Sequence, residues 1–165
     1  MAKGYRLIDR DRGYKALQGR LRRVRQTKPA VEVGVLGDAA REKHRGSDEG
    51  SPVRLSDVAS WQEFGLGRIP ERSFIRGWFD AQYQGNRLAL RTVMQKVLQG
   101  HLTEKQGMEL LGVKFQADIQ KRISRGIPPP NSEVTIALKG SAIPLIDKGQ
   151  LLQGITFRAT ERKVA

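Results

Sequence analysis

The residue types that most often carry out chemistry are sparse in this chain. It has no cysteine and only two histidines, His44 and His101, which lie far apart in the sequence. Disulfides, thiolate metal sites and a cysteine nucleophile are therefore excluded, and a site with several histidine ligands cannot form. We interpret both histidines as surface residues.

The remaining candidates for a catalytic or phosphate site do not complete a known pattern. Asp9 and Asp11 are spaced as D-x-D, which holds Mg²⁺ when a third carboxylate joins, but helix capping explains them better in so basic a segment. Gly65-Leu66-Gly67 lacks the third glycine of a dinucleotide loop, and Lys139-Gly140-Ser141 lacks the glycine spacing of a phosphate loop. The sequence therefore predicts no enzyme, no metal and no cofactor.

Length and hydropathy indicate how many domains the chain has and whether it meets a membrane. Its 165 residues suit one domain with an arm, and no apolar run approaches the roughly 18 residues of a membrane span. The N-terminus lacks the apolar region of a secretory signal. We expect a soluble protein that is made inside the cell and has no membrane partner.

The net charge of +13 is concentrated near the N-terminus. Residues 1–30 carry ten basic and two acidic groups, a net +8, whereas residues 31–66 carry a net −3. A basic arm attracts polyanions through Coulomb forces, although a solvated helix face would have the same composition. We predict that the arm contacts DNA or an acidic partner through Arg20, Arg22, Arg23 and Arg25. Sequence-specific reading of DNA is not expected, because aromatic residues are few and no DNA-reading motif is present.

Apolar spacing and capping residues predict the elements of the first half of the chain. A helix begins at Asp9 or Asp11 and runs to about Arg25, with Tyr14, Leu17, Leu21 and Val24 on one stripe. The next residues predict a strand over 31–36, followed by a mobile loop or hairpin extension over 37–52. A short helix is then predicted from the cap Ser56 to the stop Gly65. A longer helix is predicted over 74–98, capped by Ser73 and kinked at Gly85-Asn86. We predict that the aromatic residues at helical spacing are core, namely Trp61, Phe64, Phe74, Trp78 and Phe79.

The second half begins with a clear helix signal. Thr103 and Gln106 form a capping box, and the helix runs to about Ser124. Gly107 and Gly112 lie inside it, which indicates tertiary packing or a close backbone approach. Residues 134–138 fit either a strand or a short helix, Asp147 caps a turn through Leu151, and residues 155–159 predict the last strand.

Two segments resemble the tail-completion or neck proteins of long-tailed bacteriophages. The first has a Glu-Phe-Gly turn and an Ile-Pro-x-Arg-x-Phe entry to a long helix, formed by Glu63, Phe64, Gly65, Ile69, Pro70, Arg72 and Phe74. The second is a late Pro-Leu-Ile-Asp turn, formed by Pro144, Leu145, Ile146, Asp147, Gly149 and Leu151. Their order and separation match the family. The departures are Leu66 and Lys148 in place of the usual threonines, Glu71 and Ser73 in place of prolines, and Gly154 in place of a serine. The resemblance to this family covers about residues 31–160.

The resemblance implies an α+β fold in which a small mixed or antiparallel sheet packs against two long helices. The expected organisation is a basic N-terminal helix or arm over 1–30, one domain over 31–160 and a polar tail over 161–165. The implied function is structural: a sixfold or twelvefold ring at the head–tail junction of the virion, assembled in the host cytoplasm, with DNA passing through the bore. Its neighbours would be head-completion or connector proteins and tail-terminator proteins.

Each motif residue also has a local interpretation. Asp147 as a helix cap and Gly149 as a flexible backbone point explain those two positions without any partner, so the assembly role is assigned to the two segments rather than to single residues. The alternative function is a nonspecific basic DNA-binding protein without enzymatic activity.

Overall fold

The chain forms a helix-rich α+β fold with one small antiparallel sheet. The structure is a computed structural model that describes residues 11–44, 53–139, 143–146 and 149–161. In chain order the elements are α1 (Tyr14–Thr27), β1 (Pro29–Val35), α2 (Gly37–Arg41), α3 (Leu55–Phe64), α4 (Arg76–Ala81), α5 (Tyr83–Gln99), α6 (Glu104–Ser124), α7 (Glu133–Lys139), α8 (Gln150–Gly154) and β2 (Ile155–Glu161).

The sheet joins the two predicted strands, which lie near opposite ends of the sequence. β1 and β2 pair antiparallel, in a register that runs from Pro29 opposite Glu161 to Val35 opposite Ile155. The sheet packs on the long helix α6, and the other long helix, α5, packs on α6 as well. The fold class predicted from the sequence is therefore confirmed.

Both interior glycines of α6 lie where another element approaches closely. A Cβ atom on Gly112 would overlap the ring of Phe157 on β2, and one on Gly107 would lie 2.8 Å from Cγ1 of Val93 on α5. The predicted close packing at these glycines is thus confirmed. It positions the sheet and α5 against the same helix.

The core lies where α3, α4, α8 and the sheet meet the C-terminal half of α6. Its fully buried side chains are Leu55, Phe74, Ile119, Ile123 and Ile155. Burying such a side chain contributes about 1.5–3 kcal/mol. These residues come from several separate elements and connections, so the cluster fixes the relative positions of most of the fold.

Several helix boundaries follow the predicted caps. The Asp11 carboxylate accepts hydrogen bonds from the backbone N–H groups of Gly13 and Tyr14, at 3.0 and 2.7 Å, at the start of α1. The Thr103 capping box is present at α6, and Gly65 ends α3 in the left-handed region at φ 67°. Asp9 lies outside the described residues.

Other boundaries differ from the prediction. The predicted helix over 74–98 is two helices, α4 and α5, which are interrupted at Gln82 rather than kinked at Gly85-Asn86. Helix α3 begins at Leu55, because Asp57 and not Ser56 provides the cap: its carboxylate accepts from the Arg54 N–H at 2.9 Å.

The predicted loop and the ambiguous segment contain short helices. Within 37–52, residues 37–41 form α2, and Lys43 then pairs with Arg54 in an antiparallel bridge, as a hairpin extension would; residues 45–52 lie outside the described residues. The segment 134–138 is helical, in α7. The cap at Asn131–Ser132 decides for a helix over the strand that the β-branched residues favour. The Ser132 hydroxyl accepts from the Thr135 N–H at 3.2 Å, as an N-cap residue does.

Candidate assembly and DNA-contact surfaces

Glu63 is buried at the end of α3 and organises the start of the next helix. One carboxylate oxygen accepts from the Ser73 hydroxyl at 2.7 Å and from the Arg76 N–H at 2.8 Å. The other accepts from the N–H groups of Phe74 and Ile75, at 2.8 and 2.9 Å. These N–H groups belong to the beginning of α4, where the helix itself provides no acceptors. Glu63 is therefore a structural cap supplied from a different helix.

The sequence assigned this capping role to Ser73. The Ser73 hydroxyl does accept from the Gly77 N–H at 2.9 Å, but α4 begins at Arg76 and its N-cap position is Ile75, so Ser73 contributes to the helix start without being its N-cap residue. The larger contribution, from Glu63, was missed because the acceptor lies ten to thirteen residues before its donors. No spacing rule within a helix connects residues that far apart.

Arg72 is a second buried polar residue of the same segment. Its guanidinium donates to the carbonyl oxygens of Pro129 and Pro130, at 2.9 and 3.3 Å, and to Oε1 of Gln62 at 3.3 Å. Burial lowers the pKa of the Arg72 guanidinium from its ordinary value. The contacts hold the proline-rich connection after α6 against the end of α3.

The turn that joins Glu63 to Arg72 requires glycine at its start. Gly65 has φ 67°, and a Cβ atom there would lie 2.7 Å from the Glu71 backbone nitrogen. The Ile69 N–H donates to the Leu66 carbonyl at 3.3 Å, and Pro70 is exposed beyond it. The turn therefore needs glycine at position 65 and leaves Pro70 exposed.

The late turn packs beside this first segment. Pro144, Leu145 and Leu151 are buried, and the two leucines belong to the same core cluster as Leu55. Gly149 has φ 71° at the start of α8, in agreement with its local interpretation. Asp147 and Lys148 lie outside the described residues, so the predicted cap at Asp147 stays a prediction. The two segments of the resemblance therefore meet in one core.

The four arginines predicted to contact DNA divide into two pairs. Arg20 donates to the Leu98 carbonyl at 3.1 Å and so ties α1 to α5, and Arg23 lies 4.0 Å from the Glu104 carboxylate with its own side chain 65% exposed. Arg22 and Arg25 are exposed and make no ion pair with the described residues. Only the second pair is available to a partner without disturbing the fold.

The described part of the chain covers the apolar stripe of α1 only in part. None of the fourteen residues of this helix, all of which the structure describes, is buried. Tyr14 is 65% exposed, and Leu17 and Leu21 are 37% and 42% exposed. We call these three residues the α1 stripe.

The prediction that the clustered aromatic residues are core is right for Phe74 and Trp78 and wrong for the other three. Phe64 is 57% exposed, and Trp61 and Phe79 are also exposed. Phe64 is the last residue of α3, directly before Gly65, where the helix ends in the left-handed region. The Arg76 guanidinium is 5.7 Å from the centre of the Phe64 ring.

Phe64 and Phe79 line an open groove of about 700 Å³ between β1, α3 and α4. Its walls are mostly apolar and include Val31, Val33 and Ile75. We call it the β1–α3–α4 groove. Its size falls within the range of about 300–1,000 Å³ that is typical of ligand pockets.

Two buried polar side chains at this groove lack hydrogen-bond partners among the described residues. Both polar atoms of the Asn86 amide, and Nε1 of Trp78, are in this state. Asn86 and Trp78 both line the groove and are buried. Leaving a buried polar group unsatisfied costs about 1–3 kcal/mol.

The described histidines and carboxylates do not converge on a metal site. No group of three or more His, Asp or Glu side chains in the described ranges could hold a metal ion. His101 is exposed, as predicted. His44 is half-buried, with Nδ1 3.3 Å from Oε1 of Gln150, so the prediction that it is a surface residue is only partly right. Among the described helices, none has the length and apolar character to cross a bilayer.

No protein-family model, curated protein or solved structure matches this chain.

Proposed function

We propose that this protein is a structural subunit of the neck of a long-tailed bacteriophage, of the tail-completion type. Copies of it would form a sixfold or twelvefold ring at the head–tail junction. The observation that carries the proposal is the presence of two partly exposed apolar surfaces on one subunit, the α1 stripe and the β1–α3–α4 groove. Apolar surfaces of this kind mark sites where a protein meets a partner.

The buried polar residues of the motif segments support a mechanical role without catalytic turnover. All four hydrogen bonds to the Glu63 carboxylate come from the chain itself, and Arg72 is held by the backbone carbonyls of the proline-rich connection. Such groups fix the angles between helices rather than face a substrate. A ring subunit that joins two large structures needs this rigidity.

The charge of α1 supports a position close to DNA. Arg22 and Arg25 are exposed, and so are Arg12 and Lys15 at the beginning of the helix. In a ring through which the genome passes, these side chains would lie where phosphates stabilise positive charge. Other faces of the ring would contact the head-completion or connector proteins and the tail-terminator proteins in the virion, after assembly in the host cytoplasm.

The same exposed arginines favour a second candidate, a nonspecific DNA-binding protein. The two functions differ in what happens when the gene is removed from the phage that would encode it. The neck function predicts DNA-filled heads and separate tails that fail to join, whereas a DNA-binding protein predicts joined particles.

Negative-stain electron microscopy of the lysate distinguishes these outcomes. Supplying the wild-type gene in trans is expected to restore joined virions, and the protein is then expected in purified tails or virions by mass spectrometry. Joined virions in the absence of the gene would contradict the neck function. Restoration by a chain that carries Arg22→Gln and Arg25→Gln would show that joining does not depend on DNA contact at these residues.

A further inference from the structure

We propose that a basic cleft between α4 and the C-terminal half of α6 binds phosphates of a DNA backbone. The cleft has a volume of about 380 Å³ and is lined on one side by Trp78, Ala81 and Gln82, at the end of α4. Its other side is formed by α6 and the residues directly after it. We call it the α4–α6 cleft. The inference rests on the proposed function only for the presence of DNA, and its test does not require a ring.

The charged groups that line the α4–α6 cleft are mostly basic and repeat at the spacing of one helix face. Four are basic and one is acidic, which gives a net charge of +3, and they are Lys114, Asp118, Lys121, Arg122 and Arg125. Lys114 and Asp118 form an ion pair, so the other three carry the excess charge. None of these three makes an ion pair with the described residues. Cations that are not neutralised within one cleft attract an anion.

The pairing of charges along α6 changes at this cleft. At positions 105–109 and 114–118 a lysine has a carboxylate one turn later and forms an ion pair with it. Lys121 and Arg125 are also one turn apart, but both are positive, and like charges at this spacing disfavour a helix. The helix dipole stabilises each cation at this end of α6 without removing their mutual repulsion. A bound anion would remove it.

Arg122 is held in the cleft by the fold. Its Nε and Nη2 donate to the Ser73 carbonyl at 3.4 and 3.3 Å, and its side chain is half-buried. A Cβ atom on Gly77 would lie 2.6 Å from Nη2, so the glycine makes room for the guanidinium. Nη1 makes no hydrogen bond with the described residues. A guanidinium that is already fixed through two of its nitrogens offers the third to a phosphate oxygen at a small cost in side-chain entropy.

The spacing and exposure of the basic groups favour a DNA backbone over a free phosphate ion. Lys121 and Arg125 are exposed and lie about 6 Å apart along the helix, at 1.5 Å per residue. One strand of duplex DNA carries a phosphate about every 3.4 Å along its axis, so this pair can contact about two phosphates. DNA also releases condensed counterions on binding, which offsets the entropy lost when the exposed side chains become ordered. A free phosphate ion provides no such gain.

A charge-removal variant of the full-length chain tests the cleft. We expect Lys121→Gln/Arg125→Gln to weaken binding of a labelled DNA duplex by about eightfold for each lost phosphate contact at about 0.1 M salt, and to reduce the slope of log K against log salt by about 0.9 per contact. The matched control is Arg87→Gln/Arg91→Gln, because both arginines are exposed on α5, one turn apart and outside the cleft. Both double variants lower the net charge by two. The control is expected to leave the slope unchanged.

Asp118→Asn tests the cleft in the opposite direction. Loss of this carboxylate frees Lys114 and raises the net charge of the cleft from +3 to +4, so we expect tighter DNA binding and a slope that is larger by up to about 0.9. The matched control is Glu109→Gln, which frees Lys105 from the same kind of pair on the same helix outside the cleft. A cleft with a purely structural role would not bind DNA more tightly after this change. Circular dichroism is used to check that each variant is folded.

Three results would overturn the assignment. Equal effects of the variants and their matched controls would show that only the overall charge matters. Saturable binding of inorganic phosphate to the wild type at constant ionic strength, abolished by Lys121→Gln/Arg125→Gln, would make the ligand a free anion. Wild-type protein that does not bind duplex DNA would overturn this site together with the DNA contact of α1, whereas the ring is tested separately by the native mass.

Discussion

Among the buried polar residues, we expect loss of the Glu63 carboxylate to lower the free energy of unfolding of the subunit clearly. In Glu63→Gln an amide NH₂ group replaces one of two oxygens that each accept two hydrogen bonds, so donors face donors in a buried site. The expected loss in the free energy of unfolding is about 2–4 kcal/mol. Glu71→Gln is the matched control: that carboxylate is exposed, and its change should cost less than about 1 kcal/mol in urea unfolding. Equal effects of the two substitutions would contradict the capping role.

Two aromatic residues of similar size provide a second contrast at the scale of the residue. Trp78 is 4% exposed and Phe64 is 57% exposed. Trp78→Ala is expected to lower the free energy of unfolding by about 3–5 kcal/mol, as for a core aromatic residue. Phe64→Ala is expected to cost about 1 kcal/mol, because most of its ring is already in contact with water. A larger loss for Phe64 than for Trp78, measured by the same urea titration, would contradict the burial described for them.

Two helical glycines are expected to respond to alanine in opposite directions. Gly112→Ala would place a methyl group against the Phe157 ring, and overpacking of this kind costs about 1–3 kcal/mol. Gly19 lies on α1, where a Cβ atom would meet nothing within 4 Å, so Gly19→Ala should stabilise the helix by up to about 1 kcal/mol. Thermal unfolding followed by circular dichroism measures both changes, and a stabilising Gly112→Ala would refute the close approach of α6 and β2.

At the scale of the element, α1 carries two kinds of exposed side chain, the arginines Arg22 and Arg25 and the apolar residues of the α1 stripe. The double variant Arg22→Gln/Arg25→Gln should weaken binding to duplex DNA and reduce the slope of log K against log salt by about 0.9 for each phosphate contact that is lost. Its melting temperature should stay unchanged, because both side chains are exposed and unpaired with the described residues.

The control for this helix is Arg20→Gln/Arg23→Gln. Those arginines contact Leu98 and Glu104, so their loss should release α1 from the body and increase hydrogen exchange at its amides. An unchanged salt slope in the first variant would indicate that Arg22 and Arg25 do not contact phosphates. Unchanged exchange in the second would contradict the docking of α1.

The elements that could be predicted from the sequence are those whose signals are local. Thr103 and Gln106 are three residues apart, and together they determine where α6 begins. Gly112 could be interpreted because a glycine inside a long helix is costly unless something packs against it. The capping box is decided by neighbouring residues, whereas for Gly112 only the signal is local, and the ring that packs against it, Phe157, lies on β2.

The elements that were missed depend on contacts between distant residues. The start of α4 is determined by Glu63, which belongs to another helix, and the interruption at Gln82 has no glycine or proline to mark it. The exposure of Phe64 likewise depends on how the chain turns after Gly65. For the candidate site, the arginines of α1 could be selected by composition, but their division into two pairs required the positions of Leu98 and Glu104.

At the scale of the whole molecule, the subunit combines a rigid interior with incomplete surfaces. Glu63, Arg72 and the glycines of α6 fix the helices and the sheet relative to one another, whereas the α1 stripe and the β1–α3–α4 groove stay open. A subunit that exposes apolar surface outside a well-packed interior is suited to contacts with partners.

The most direct test of this account is the native mass of the full-length wild-type protein, measured by native mass spectrometry over a wide range of concentrations. The proposed neck ring predicts particles of six or twelve times the 18.5 kDa chain mass, seen as rings with a central bore in electron micrographs. A mass of 18.5 kDa at every concentration, in the presence and absence of duplex DNA, would contradict it.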